Sequence, residues 1–134
     1  MGADAMVKES LDEAKVRDGA AMVEGLDAAG RRVSAAFWFY FADANAWRLL
    51  LASPDVASKG PREFYLAAQK VLGTIQRGDL AIGLDDITVV SPDNPLVGLL
   101  RSMTTTGAGI SRIRFSKNVI NGTFIEDVLI YRLS

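Results

Sequence analysis

Apolar positions recur along this chain at two spacings, and each spacing predicts a different kind of element. From about residue 4 to 29 the chain is Ala-rich, with Val16, Ala20, Val23 and Leu26 three or four apart, so they fall on one face of a helix. Gly30 is placed to end that helix as a left-handed cap, whereas Gly19 and Gly25 are expected to weaken it. From Val33 to Phe41 the run VSAAFWFYF is apolar on both alternating faces and rich in aromatic residues, the pattern of an interior strand. ADANA turns the chain, and WRLLLA returns as an antiparallel partner.

Helical spacing resumes at Pro61, which suits a first helical position, with Phe64, Ala68, Val71, Leu72 and Ile75 as the buried stripe and Gly78 closing the helix. GDLAIGLDD reads as a loop and ITVV as a short strand. A further helix is expected over residues 95 to 104, capped by Asp93 or Asn94, with Leu96, Leu99, Leu100 and Met103 on its apolar face. In the last thirty residues Asn121-Gly122 lies between two strand-like runs, the dipeptide favoured by a type I′ hairpin turn. Counting outward from a two-residue loop pairs Ile120 with Thr123, Val119 with Phe124, Lys117 with Glu126, Phe115 with Val128 and Ile113 with Ile130, a mostly core face. The other face pairs Arg112 with Tyr131, Arg114 with Leu129, Ser116 with Asp127 and Asn118 with Ile125. The expected fold is therefore α+β: a five-stranded mixed sheet of two antiparallel hairpins plus a central strand, packed with about three helices. No repeat or linker interrupts residues 1–134, which read as a single domain.

Composition narrows the chemistry. The chain is 49% hydrophobic before its 12 glycines are counted, whereas an average domain reaches ~45–50% with glycine included. That excess suggests apolar surface covered by another chain, so a homo-oligomer is expected. With 15 basic and 16 acidic residues there is no large field to attract nucleic acid or membrane. The chain contains no Cys and no His, which removes disulfides, thiol nucleophiles, imidazole bases and His-ligated zinc. MGADAMVKES has neither the basic nor the apolar region of a signal peptide, and Met6 stands where a myristoylation pattern requires Ser or Thr. A cytoplasmic location and no membrane association are expected.

Three stretches could carry binding chemistry. TTTGAG, residues 104–109, resembles a phosphate loop in composition, but it follows a helix and precedes a strand, the wrong polarity for an anion site. Gly107 is expected to cap the helix, with Gly109 easing the reversal. Arg112, Arg114 and Lys117 could form a basic strip, although a solvated sheet face with neutralising carboxylates is the favoured reading. The tripeptide SPD occurs twice, each time between a strand and a helix. If the strands over 47–52, 87–90 and 110–118 run parallel, Ser53, Asp55, Ser91 and Asp93 share one rim, with Lys117 and Glu126 at its far end. Two carboxylates there could hold a cation or act as acid and base, but helix caps are the favoured reading and no metal site is assigned. Glu126-Asp127 is not expected to chelate as a pair, because adjacent strand residues point apart. No cofactor is implied. The leading expectation is a small cytoplasmic interaction or accessory protein acting through a protein interface as a homodimer. The alternatives are a phosphate-ligand or nucleic-acid binder using the Arg112/Arg114 face, and a carboxylate-dependent enzyme at the SPD rim.

Overall fold

The computed structural model describes residues 7–75 and 80–134. In chain order the elements are α1 (Glu13–Ala28), β1 (Ala35–Phe41), β2 (Ala46–Ala52), α2 (Pro54–Lys59), α3 (Pro61–Thr74), β3 (Ile87–Val90), α4 (Pro95–Arg101), β4 (Ile113–Ile120) and β5 (Thr123–Leu133). One five-stranded mixed sheet is built in the order β3-β2-β1-β5-β4. Only β2 and β3 are parallel; the other neighbours are antiparallel. The α+β class is as read from the pattern. The lone strand β3 lies at an edge, because the two hairpins join directly through β1 and β5 and leave no gap for it.

Local chemistry explains most boundaries. α1 begins at Glu13, nine residues after the expected start, because the Asp12 side chain accepts from Lys15 N and caps it there. Its end follows the Schellman pattern: Gly30 has φ +76, Gly30 N donates to Asp27 O and Arg31 N to Leu26 O. α4 stops at Arg101, and Gly107 does not have a left-handed conformation. The helix ends without it because the amides of Ser102, Met103 and Thr104 turn back onto the carbonyls of Gly98, Leu99 and Leu100. The expected closure of α3 by Gly78 lies outside the described residues.

Each face of the sheet carries its own core. On one, α1 and α3 cover Trp38, Tyr40, Trp47, Leu49, Leu51, Leu129 and Tyr131. On the other, the seven-residue α4 covers Phe37, Leu50, Val128 and Ile130 through Val97 and Leu100. Segment 91–112 must carry the chain from β3 at one edge to β4 at the other. β4 is consequently antiparallel to β2 and β3, not parallel as the crossover argument required.

The two glycines of α1 are close-approach positions. A Cβ on Gly19 would stand 2.5 Å from the Tyr131 hydroxyl and 2.7 Å from Trp38 Nε1. One on Gly25 would stand 2.4 Å from Val71 Cγ1 of α3. Against Gly19 runs a buried relay in which Trp38 Nε1 donates to the Tyr131 hydroxyl (2.9 Å), which donates to Val16 O (2.5 Å). Helix propensity is thus given up for contact between helix, sheet and relay. At the β3 edge, Val89 N donates to the Tyr65 hydroxyl of α3 and the Arg48 guanidinium donates to Ile87 O and Thr88 Oγ1. β4, at the other edge, pairs with β5 alone.

Candidate functional site

The two SPD turns are neighbours, as the parallel pairing of β2 and β3 demands, and Ser53 N donates to Val90 O across them. Their polar groups are engaged locally. Ser53 is buried and caps α2 by accepting from Asp55 N at 3.1 Å. Asp55 is ion-paired with Arg32 at 2.5 Å, which holds its carboxyl below the usual range. Ser91 accepts from Asp93 N at 3.4 Å, Asp93 is exposed, and Asn94 rather than Asp93 caps α4. The helices that follow leave the rim on opposite faces, α2 towards the first core through Val56 and α4 towards the second. Their N-termini therefore do not converge on a ligand. Among the described residues no group of three or more Asp and Glu is placed to hold a metal ion. Lys117 and Glu126 lie towards the opposite rim, because β5 runs parallel to β2 and its C-terminal Leu133, not Glu126, is level with Ala52.

TTTGAG is laid along β5. Thr106 N donates to Leu133 O, Leu133 N donates to Thr106 Oγ1, and Gly109 O accepts from Arg132. Its polar groups thus extend the sheet's end and form no anion cradle.

The basic strip does not assemble either. Arg112 is ion-paired with Glu13 of α1, which lowers the Glu13 carboxyl and raises the guanidinium. Arg114 forms a two-pronged bond to Asp127, at 2.9 and 2.8 Å, and lies 5.4 Å from the Trp47 ring. Lys117 is exposed on the edge strand with φ +54.

That left-handed residue changes the hairpin. The expected register is present from Ile113–Ile130 to Ile120–Thr123, but Lys117 and Glu126 drop out of the ladder. Beyond the interruption the faces exchange: Ile125 and Ile120 turn into the second core, while Val119 and Phe124 turn out, 69% and 57% exposed. Phe124 then shares a hollow of about 190 Å³ with Phe39, Phe41 and Glu126. The Phe39 and Phe41 ring centroids are 4.8 Å apart, and both rings are only part-buried. An apolar patch thus lies at the tip of the β4–β5 hairpin, beside the open edge of the sheet.

The same twist brings both carboxylates of Glu126-Asp127 to one ammonium, against the expectation from strand alternation. Lys8 Nζ is 2.8 Å from Asp127 and 3.4 Å from Glu126. It also sits over the Tyr40 and Trp47 rings at 4.8 and 5.9 Å. The Asp127 side chain is 4% exposed. Burial opposes its ionisation, but hydrogen bonds from Arg114, Lys8 and Ser116 outweigh this and hold its carboxyl at about 2.

Lys8 and Arg132 are among the charged residues that sequence reasoning passed over. Arg132 is buried, yet it bonds Asp27 through two nitrogens (3.0 and 2.8 Å), Val33 O (3.1 Å) and Gly109 O (3.2 Å). The one cation in the apolar run VLIYRL signals such a pair. Comparison with protein-family models, with curated proteins and with solved structures returns no match.

Proposed function

We propose that this chain is a small cytoplasmic interaction protein whose β4–β5 hairpin tip and open β4 edge pair with a second copy of itself. The observation that carries the reading is the outward turn of Val119 and Phe124 at the tip of an edge strand. A lone exposed apolar residue needs no explanation, but two cross-strand partners continuous with Phe39 and Phe41 form a patch beside unpaired backbone groups. A second copy suits it because a two-fold contact is self-complementary and closes the open edge of both sheets at once. The local neutralisation of Arg112, Arg114 and Asp55 supports association through apolar surface over anion binding or carboxylate chemistry.

Light scattering at micromolar concentration tests this. The parent chain is expected at twice its 14.4 kDa mass, and Phe124→Asp at the single-chain mass with an unchanged circular dichroism spectrum. A parent that stays at 14.4 kDa at every concentration refutes the reading.

A further inference from the structure

Residues 7–11 precede α1 and form no helix or strand, yet they are held by a set of contacts that read an extended peptide. Asn45, fixed at φ +47 in the β1–β2 turn, accepts from Glu9 N through Oδ1 at 2.7 Å. Through Nδ2 it donates to Val7 O at 3.0 Å. One amide side chain therefore satisfies a donor and an acceptor on alternate residues of the segment, which requires it to be extended. Trp47 Nε1 donates to Glu9 O at 2.8 Å. Between these backbone contacts the Lys8 side chain enters a recess with Tyr40 and Trp47 as aromatic walls and Asp127 and Glu126 as acidic partners.

Asp127, Trp47, Tyr40 and Asn45 are held by contacts outside the segment. Asp127 is oriented by Arg114 and Ser116, Trp47 packs against Tyr40 with ring centroids 5.4 Å apart, and Asn45 also accepts from the Tyr40 hydroxyl at 2.5 Å. Two rings and two carboxylates around an ammonium select a cation of lysine shape, because the rings favour a cation face-on and Arg114 neutralises Asp127 but leaves the charge of Glu126. The segment itself contributes little apolar anchoring: Val7 is 84% exposed, and only Leu11 reaches the core.

We propose that this recess is a binding site for a lysine-bearing extended peptide of another protein, and that Val7–Ser10 occupies it in cis as a built-in competitor. The chain's own segment defines the ligand: a lysine side chain for the recess, flanked by backbone that Asn45 and Trp47 read at alternate residues. Being tethered, the segment competes at a high effective concentration, so a partner peptide must displace it or act when it has lifted off. This inference does not rest on the self-pairing surface: Glu126 and Tyr40 border both regions, but neither Phe124 nor Val119 is part of the recess.

The test titrates acetyl-Val-Lys-Glu-Ser-Leu-amide into the 134-residue chain and its Lys8→Ala variant, following the Trp47 indole N–H by NMR. Lys8→Ala removes the side chain that fills the recess and weakens the hold of the segment, whose backbone bonds to Asn45 and Trp47 remain for the peptide to displace. It leaves Asp127 bonded to Arg114 and Ser116, and so retains the fold. The peptide is expected to bind Lys8→Ala saturably and at least ten-fold more tightly than the parent, with affinity falling as salt is added. A peptide with Ala in place of Lys is expected not to bind. Adding Asn45→Asp, which keeps the acceptor and removes the donor to the peptide carbonyl, is expected to weaken binding by about ten-fold. Equal binding of the two peptides, or no binding to Lys8→Ala at millimolar peptide, overturns the proposal. It also falls if Lys8→Ala alone changes the mass of the particle, since the recess would then serve segment exchange between copies.

Discussion

On the sheet face that carries Trp38 and Leu49, two long helices close the core and even the glycines of α1 are in contact. On the face that carries Phe37 and Leu50, one seven-residue helix covers the centre and leaves Phe39, Phe41 and Phe115 only part-buried. Both faces have comparable aromatic content, so hydrophobicity alone does not distinguish them. The difference is one of length. The covering helices of the first face rise ~1.5 Å per residue over 16 and 14 residues, whereas α4 ends after two turns because the same segment must still reach the far edge. The tip of β4–β5 is left over, and that is where an apolar patch survives.

Substitutions can break this contrast, the largest effect first. Trp38→Ala should cost about 3–5 kcal/mol, since it removes a fully buried ring and leaves Tyr131 without its donor. Phe41→Ala on the opposite face should cost about 1–2 kcal/mol, because that ring is only half-buried. Urea unfolding of the two variants measures the difference, and equal losses would mean that α4 closes its face as well as α1 and α3 close theirs.

Gly19→Ala should destabilise by about 2 kcal/mol, although alanine gains roughly 1 kcal/mol in helix propensity. The new methyl meets the Tyr131 hydroxyl and the Trp38 indole, neither of which can move without breaking the relay to Val16. Thermal unfolding that shows stabilisation would indicate that the helix stands further from the sheet.

Asp127→Asn should cost about 1–2 kcal/mol at neutral pH. The folded carboxyl, held at about 2, lies below its ordinary value of 3.8. Its contribution is therefore complete above about pH 4 and lost as pH falls towards 2. The parent should lose stability across that window, and the variant should show a flatter acid limb. Parallel pH profiles would mean that the cluster does not stabilise the ionised form.

Smallest of all, Phe124→Ser should change the stability of the single chain by less than about 0.5 kcal/mol. A larger loss in dilute solution would show that the ring is part of a core and not of a contact surface.

Elements with a local cause were legible in the sequence. The hairpin ladder follows from Asn121 and Gly122, whose φ values of +48 and +80 are those the dipeptide favours. The Gly30 cap and the interior FWFYF strand likewise depend on neighbours in sequence. Three features were not legible, for physical reasons. Gly19 and Gly25 look like helix breakers because the groups that need the space come from β1, β5 and α3. The face exchange past Lys117 depends on a lysine in a conformation that lysine seldom adopts. The carboxylates that hold Lys8 lie more than a hundred residues away, and no periodicity records them. For the candidate site, the sequence placed the SPD turns on one rim, and the parallel pairing of β2 and β3 sets them side by side; the divergence of their helices depends on which face each helix covers, and that is settled by the whole sheet.

The Tyr65 hydroxyl and the Arg48 guanidinium at the β3 edge bear on how far strand addition could run. A cross-strand polymer needs an open edge at both ends of each sheet, each edge strand offering N–H and C=O groups together. At β3 the amide of Val89 and the carbonyl of Ile87 are already taken by side chains, so β4 is the better end for growth. Pairing there uses up the open edge of both participants. The proposed pairing at β4 would thereby terminate itself, and fibre growth from the native sheet would first have to strip Tyr65 and Arg48 from their partners.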